Sequence, residues 1–154
     1  MPMFKQAVEH AAFAVQLQVN YEDTDAGGVV YYANYLGYME RARNACLRDL
    51  GFPPAQLEQR HSIVFAVTEA HLIYRAPARL DDELEATMQV ARLARASMTV
   101  TQQVRRAREV LVDARIKLAA LNSASGRPCR MPPPLVDALT NATAANNARN
   151  DDAA

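Results

Sequence analysis

The feature that most constrains the fold of this chain is an alternation of apolar and polar residues in three consecutive segments. The segments cover residues 83–90, 97–104 and 110–120, and short polar turns join them. A period of two puts the apolar side chains on one face of a β-strand, so each segment is predicted to be a half-buried strand. Because the connecting turns are short, the three strands are predicted to form an antiparallel meander.

Two further strands and one long helix complete the predicted architecture. Residues 13–21 alternate in the same way, and residues 62–74 are apolar and β-branched. Residues 33–50 carry an apolar stripe at helical spacing, and Gly51 follows where a helix C-terminal glycine belongs. A sheet with one apolar face beside an apolar helix predicts an α+β domain in which the sheet curls around that helix.

Composition excludes several classes of protein. Lys plus Arg and Asp plus Glu each number 17 in 154 residues, so the formal net charge is zero. That balance argues against a general binder of nucleic acid or membrane surfaces. Cys46 and Cys129 match no metal-ligand spacing, which favours free thiols in a reducing compartment. Because polar residues interrupt the N-terminal segment and no run approaches ~20 apolar residues, we expect a cytoplasmic protein without membrane insertion.

The ends of the chain differ from its middle in composition. Prolines at position 128 and at 132–134 break the chain, and residues 141–154 are rich in alanine, asparagine and aspartate. Such a segment has too few large apolar residues to join a core. We therefore expect an N-terminal extension over 1–10, a folded domain over 11–135 and a disordered tail over 136–154.

The segment with the clearest chemical character covers residues 21–32. Three acids, Glu22, Asp23 and Asp25, are followed by two glycines, and the predicted helix begins directly afterwards. A solvated acidic turn is one interpretation. The other follows from the unpaired backbone N–H groups and positive dipole end of a helix start, which bind anions and polarise carbonyl groups. From the residues alone, both interpretations stay open.

The same segment resembles the hotdog thioesterases of the 4-hydroxybenzoyl-CoA thioesterase family. The matching residues are 21–31, Ala33, Tyr35, 40–43 and 74–82, and similarity extends from about 13 to 121. The resemblance is nearest to the YbgC-type branch, which is encoded beside the Tol–Pal envelope system. It implies a hotdog fold, in which an antiparallel sheet wraps one long central α-helix, and hydrolysis of short-chain or aromatic acyl-CoA thioesters.

The resemblance also assigns roles within the segment. The second aspartate of the family's Asp-x-Asp pair is its catalytic carboxylate and corresponds to Asp25, acting as nucleophile or general base. The backbone N–H near Tyr32 corresponds to the donor that polarises the thioester carbonyl. Tyr32 replaces the usual histidine of the branch, so a wall for the acyl group is an alternative role. Gly28, Val29 and Tyr31 complete the expected substrate-binding segment.

A second expected site is the turn between two meander strands, with Arg92, Arg95 and Ser97. The family places residues of this turn near the phosphates of coenzyme A, and two guanidinium groups with a hydroxyl suit phosphate. A solvated turn is the equal alternative. Asp23 and Glu22 are expected to cap or pair at the surface, and His61 and His71 are expected to be structural.

The resemblance implies a homodimer or homotetramer, with the site at a subunit interface. The expected substrate carries coenzyme A or, alternatively, an acyl carrier protein, and no metal or separate cofactor is expected. Two other functions remain open. One is a non-catalytic module that binds acyl-CoA or acyl carrier protein. The other is a hotdog hydratase or dehydratase, which would need a histidine paired with an acid.

Overall fold

The computed structural model describes residues 13–142. Within them, five strands form one antiparallel sheet: β1 (Phe13–Gln18), β2 (Ile63–Tyr74), β3 (Glu83–Leu93), β4 (Ser97–Arg106) and β5 (Glu109–Asn122). Their order in the sheet is β1-β3-β4-β5-β2. The predicted meander β3–β4–β5 is confirmed, and β1 and β2 form the two edges of the sheet.

The long helix α1 (Asn34–Asp49) lies within one residue of the predicted limits at each end. It packs against β1, β3 and β4. Two shorter helices accompany it: α2 (Pro54–His61), and α3 over residues 133–142, where the sequence suggested one helical turn at 135–139. Pro54 occupies the first turn of α2, where its missing N–H has no intrahelical partner to lose. None of the helices in the described part of the chain is long and apolar enough to cross a membrane.

The sheet has one apolar and one polar face, as the alternation predicted. Met88, Val100 and Ile116 are buried on the face toward α1. One buried polar side chain, Gln102, ties this face to the helix. Its Oε1 accepts a hydrogen bond from Arg43 Nη1 at 3.0 Å, and its Nε2 donates to the Met39 carbonyl at 3.0 Å and the Thr87 carbonyl at 3.1 Å.

The C-terminal part of the described chain corrects the predicted tail. Leu135 and Leu139 are one helical turn apart in α3, and both are completely buried. The predicted boundary at residue 135 therefore falls inside a packed helix, and the predicted tail begins too early. The remainder of that tail, 143–154, and the expected extension over 1–10 lie outside the described residues.

Candidate active site

The acidic segment before α1 is built around the backbone of Asp23. Asp23 Oδ2 accepts a hydrogen bond from the Asn20 N–H at 2.8 Å, which caps a short 3-10 helix (Tyr21–Asp23). The Asp23 carbonyl accepts from the Tyr31 N–H at 2.9 Å and from Asn34 Nδ2 at 2.8 Å. Asp23 therefore has the capping role that the sequence predicted, and it joins the segment to the start of α1.

Asp25 lies in a tight turn that fixes its carboxylate. Its Oδ1 accepts a hydrogen bond from the Gly27 N–H at 2.8 Å, and its N–H donates to the Val29 carbonyl at 2.9 Å. Gly28 has a φ of 78°, in the left-handed region that glycine adopts without strain. A Cβ on Gly27 would lie 3.1 Å from Asp25 Oδ1. The two glycines therefore have different roles: Gly28 permits the turn, and Gly27 leaves room for the carboxylate.

This turn is anchored to the second segment of the family resemblance. The Val30 N–H donates to the Ala78 carbonyl at 2.9 Å, and Val29 forms a bridge with Arg79. On the other side, the Ala78 N–H donates to Tyr35 Oη at 3.1 Å. The two segments are far apart in sequence, and backbone contacts make them one unit at the start of α1.

Asp82 and Arg106 hold the second segment in place. Asp82 Oδ2 accepts from the Arg79 N–H at 2.8 Å and from Arg106 Nη1 at 2.7 Å. Burial opposes ionisation of Asp82, but these two donors outweigh it and lower the pKa of the carboxyl group. Arg106 also donates to the Pro77 carbonyl at 3.1 Å. Arg106, the last residue of β4 before the hairpin to β5, therefore anchors the second segment.

Two backbone donors at the start of α1 are free. The Asn34 N–H donates to the Tyr31 carbonyl at 2.8 Å, and the Tyr32 carbonyl accepts from Tyr74 Oη at 2.9 Å. The N–H groups of Tyr32 and Ala33 donate to no described residue, and no side chain caps the helix. Both free donors lie at the positive end of the α1 dipole.

Tyrosine rings surround these donors. The Tyr31 and Tyr32 rings meet edge to face at 4.9 Å between centroids, and Tyr74 lies 6.2 Å from Tyr32. The neighbouring Tyr32 hydroxyl raises the pKa of Tyr31, and the Asp25 charge adds to the effect. The three tyrosines therefore form an aromatic cluster beside the free donors.

In the single chain this site is open to solvent. Tyr31 is 44% exposed and Tyr32 62%, and Asp25 and Leu36 are exposed beside them. One chain alone leaves Asp25 exposed, and the expected place of the site at a subunit interface stays a prediction. Asp25 lies in the turn that precedes the helix, and its recorded hydrogen bond is to Gly27.

The second predicted site divides between two cavities. Arg92 and Ser97 line a groove of about 380 Å³ on the polar side of β2, β4 and β5. Arg95 does not line it. Arg95 lies in the bend between β3 and β4, where its carbonyl accepts from the Met131 N–H at 3.0 Å, and its side chain faces a cavity beside α3. The structure therefore brings Arg92 and Ser97 together and places Arg95 at a different cavity.

The groove also contains cationic residues that the sequence did not single out. They face it because of the strand register, which pairs Thr99 with Lys117 and His71 with Arg115. The side chains with polar groups that line the groove are Glu69, His71, Arg92, Ser97, Thr99, Arg115 and Lys117. These residues occupy polar positions of strands in which polar and apolar residues alternate, and this alternation was the only indication in the sequence that they share a face. Within residues 13–142, no group of three or more His, Cys, Asp or Glu residues is placed to hold a metal ion.

Comparison with known proteins agrees with this architecture. A profile of the thioesterase-like superfamily matches residues 19–139. The chain is 36% identical over 120 residues to the acyl-CoA thioesterase YbgC of Haemophilus influenzae, covering 78% of this chain and 88% of that protein. It is 35% identical over 125 residues to the acyl-CoA thioester hydrolase YbgC of Escherichia coli, covering 80% and 92%.

Solved structures show the same relationship. The crystal structure of a probable thioesterase from Bartonella henselae is 33% identical and superposes with a TM-score of 0.75. The alignment covers 78% of this chain and 99% of that one. The predicted resemblance to YbgC-type thioesterases and the α+β hotdog class are thus confirmed. The chain belongs to the thioesterase-like superfamily and has its hotdog fold.

Proposed function

We propose that this protein is an acyl-CoA thioesterase in which Asp25 acts on a thioester carbonyl held by the Tyr32 N–H. One observation carries the proposal: a carboxylate is fixed in the turn that leads directly into the free backbone donors at the start of α1. Relatives that are about a third identical over most of the chain are thioester hydrolases by name, which supports the same reaction here.

The proposed mechanism uses the charges that the site provides. The thioester oxygen rests on the Tyr32 N–H, which stabilises the negative charge that develops there. Asp25 either attacks the carbonyl carbon or takes a proton from a water that attacks it. In both routes the C–S bond breaks and the coenzyme A sulfur takes up a proton. If Asp25 attacks, the acyl group is left on it as a mixed anhydride, which a water then hydrolyses to the free acid and the Asp25 carboxylate. If a water attacks, the free acid forms directly. Gly28, Val29 and Tyr31 border the reacting group, and the Tyr32 ring supports an acyl or aryl chain.

The cationic groove is the proposed seat of the coenzyme A phosphates. Arg92 and Ser97 lie there, and Arg115 and Lys117 add two positive charges from β5. Guanidinium and ammonium groups form strong charge-assisted hydrogen bonds with phosphate. Arg95, which faces elsewhere, is left out of the proposed phosphate site. The reaction as proposed needs no metal and no cofactor besides the coenzyme A of the substrate.

A second copy of the chain is the proposed cover of the open site. β2 is a long edge strand, and Val67 and Ile73 on it are 50% and 44% exposed. An unpaired apolar edge favours pairing with another strand. We propose a homodimer joined along β2, or a homotetramer of such pairs. The proposed location is the cytoplasm, in keeping with Cys46 and Cys129, which are free thiols.

A substrate panel tests this function against its rivals. Purified protein is incubated with short-chain, long-chain and aromatic acyl-CoAs and with an acyl carrier protein thioester, and free thiol is measured. We expect thiol release from at least one acyl-CoA, and release from the carrier-protein thioester would extend the substrate range. Tight binding without thiol release would support a binding module instead, and hydration of an enoyl-CoA would support a hydratase.

A further inference from the structure

We infer that Tyr74 is a positioning residue for the donors at the start of α1, and that the Ala33 N–H, whose direction it sets, polarises the thioester carbonyl together with the Tyr32 N–H. The inference rests on the proposed function, because the donors have this role only if a thioester carbonyl binds there. Tyr74 is the last residue of β2, and its hydroxyl donates to the Tyr32 carbonyl at 2.9 Å. It thus connects the sheet to the first turn of α1 at the candidate site.

Two peptide planes set the directions of the free N–H groups. A trans peptide is planar, so fixing its carbonyl oxygen also fixes the N–H on the opposite side. The plane between Tyr31 and Tyr32 is fixed by the Asn34 N–H, which donates to the Tyr31 carbonyl. The plane between Tyr32 and Ala33 is fixed by Tyr74. Tyr74 therefore aims the Ala33 N–H directly and steadies the Tyr32 backbone from its C-terminal side.

No donor of α1 performs this task. The Leu36 N–H, which could have reached back to the Tyr32 carbonyl, donates instead to the Ala33 carbonyl at 3.2 Å. Helix starts owe their geometry partly to such contacts from outside the helix. At this helix start, the recorded hydrogen bond to the Tyr32 carbonyl comes from a side chain of the sheet.

Tyr74 is itself well held. Its ring packs edge to face against Tyr35 at 5.7 Å, and the next residue, Arg75, bonds Asp113 at 2.6 Å and the Leu111 carbonyl at 2.8 Å. Burial raises the pKa of Tyr74, so the hydroxyl stays protonated at neutral pH and can donate. Donors held before the substrate arrives stabilise the transition state without reorganising during the reaction.

The test is Tyr74→Phe, which removes the hydroxyl and keeps the ring packing. Loss of one carbonyl-polarising donor lowers turnover by about 10²–10³-fold, so a donor that is only loosened is expected to lower kcat by about ten-fold. KM should change less than about two-fold, because ground-state binding does not depend on the aim of the donor. Thr68→Val, which removes another hydroxyl of β2 that donates to a backbone carbonyl, is the matched control and should keep wild-type kcat.

Two coenzyme A analogues separate positioning from simple loosening of the fold. A trifluoromethyl ketone analogue adds a nucleophile and presents an oxyanion, whereas an S-alkyl thioether has no carbonyl. Tyr74→Phe should weaken the ketone by about ten-fold and leave thioether affinity unchanged. Equal losses for both analogues, or an unchanged kcat, would overturn the inference. If the wild type itself released no thiol, the proposed function would fail before this inference was tested.

Discussion

The two sites predicted from the sequence, the acidic segment 21–32 and the turn 92–97, differ in how well the structure assembles them. In the acidic segment, Asp25 and the Tyr32 donor are placed by backbone hydrogen bonds between near neighbours. In the turn, Arg92 and Ser97 reach one groove and Arg95 another. A motif whose geometry is set by its own backbone is readable from sequence. A set of side chains spread over a bend cannot be placed from sequence in this way, because each change in chain direction changes the face on which the next side chain lies.

The two regions also differ in how completely a single chain forms them. The groove is already formed within one chain, with arginine and lysine side chains from β3 and β5 around it. The acidic segment is ordered but open, and Asp25 is exposed. Substrate binding in the groove is therefore expected to respond to changes in charge. Catalysis in the acidic segment is expected to respond to small changes in geometry and to the surface that covers it.

Among the variants that compare the two regions, Gly27→Ala is expected to have the largest effect on activity. The new Cβ would lie 3.1 Å from Asp25 Oδ1, so the carboxylate must shift by a few tenths of an ångström. Misplacing a catalytic group by about 1 Å costs about 10²-fold, so we expect kcat to fall by about 10- to 100-fold with little change in KM.

The control for that variant is Gly37→Ala in α1, where a Cβ meets nothing within 4 Å. Alanine is the better helix former, so this variant should keep wild-type kcat and gain about 0.5–1 kcal/mol of unfolding free energy. A normal kcat in Gly27→Ala would show that the turn does not set the position of the reacting carboxylate.

A smaller effect is expected from the groove. Arg92→Ala and Lys117→Ala each remove a charge proposed to contact phosphate, so KM for acyl-CoA should rise about five- to ten-fold with kcat nearly constant. Arg95→Ala, on the other side of the same bend, should change KM less than about two-fold. Steady-state kinetics at low and high salt would measure both, and an Arg95→Ala effect as large as that of Arg92→Ala would contradict the division of the turn.

The smallest effect is expected on stability, from replacement of Asp82, which holds the second segment against the acidic segment. Hydrogen bonds lower the pKa of Asp82 in the folded protein, so its contribution to stability is present above its unfolded pKa of about 3.9 and is lost as pH falls through the folded value. Asp82→Asn should therefore lower the unfolding free energy by about 1 kcal/mol at pH 7 and by much less near pH 3.

Urea unfolding at both pH values measures this difference, with Asp81→Asn as the control. Asp81 has a φ of 67°, a conformation that asparagine also tolerates, so its replacement should leave stability nearly unchanged. A deficit of the Asp82→Asn variant that stays constant from pH 7 to pH 3 would show that ionisation of Asp82 is not the source of its contribution.

The fold was predictable where a single periodicity covers a whole element. The meander and α1 follow directly from alternation and from one apolar stripe. The helix α2 was missed because Pro53 and Pro54 were interpreted as ending structure, whereas Pro54 begins a helix. At 135–139 the sequence suggested only one helical turn, and the structure extends it to a helix over 133–142, because two buried leucines are too few to show a period.

The candidate site was predictable from residues 21–32 as a motif, but not in its supports. Tyr74 and Lys117 lie far along the chain from the residues they serve, and only strand register brings them there. The expected cover of Asp25 by a second subunit stays a prediction, and in the single chain the residue is exposed. Such contacts depend on how elements pack, which local pattern does not determine.

The most direct test of the account is a single-turnover measurement on Asp25→Asn with binding measured in parallel. The amide keeps the shape of the side chain and can still accept from the Gly27 N–H, but it can neither attack a carbonyl nor take a proton. We predict hydrolysis slowed by about 10³-fold or more, with acyl-CoA affinity within about three-fold of wild type. Hydrolysis within about ten-fold of wild type would contradict the account, because another group would then be doing the chemistry.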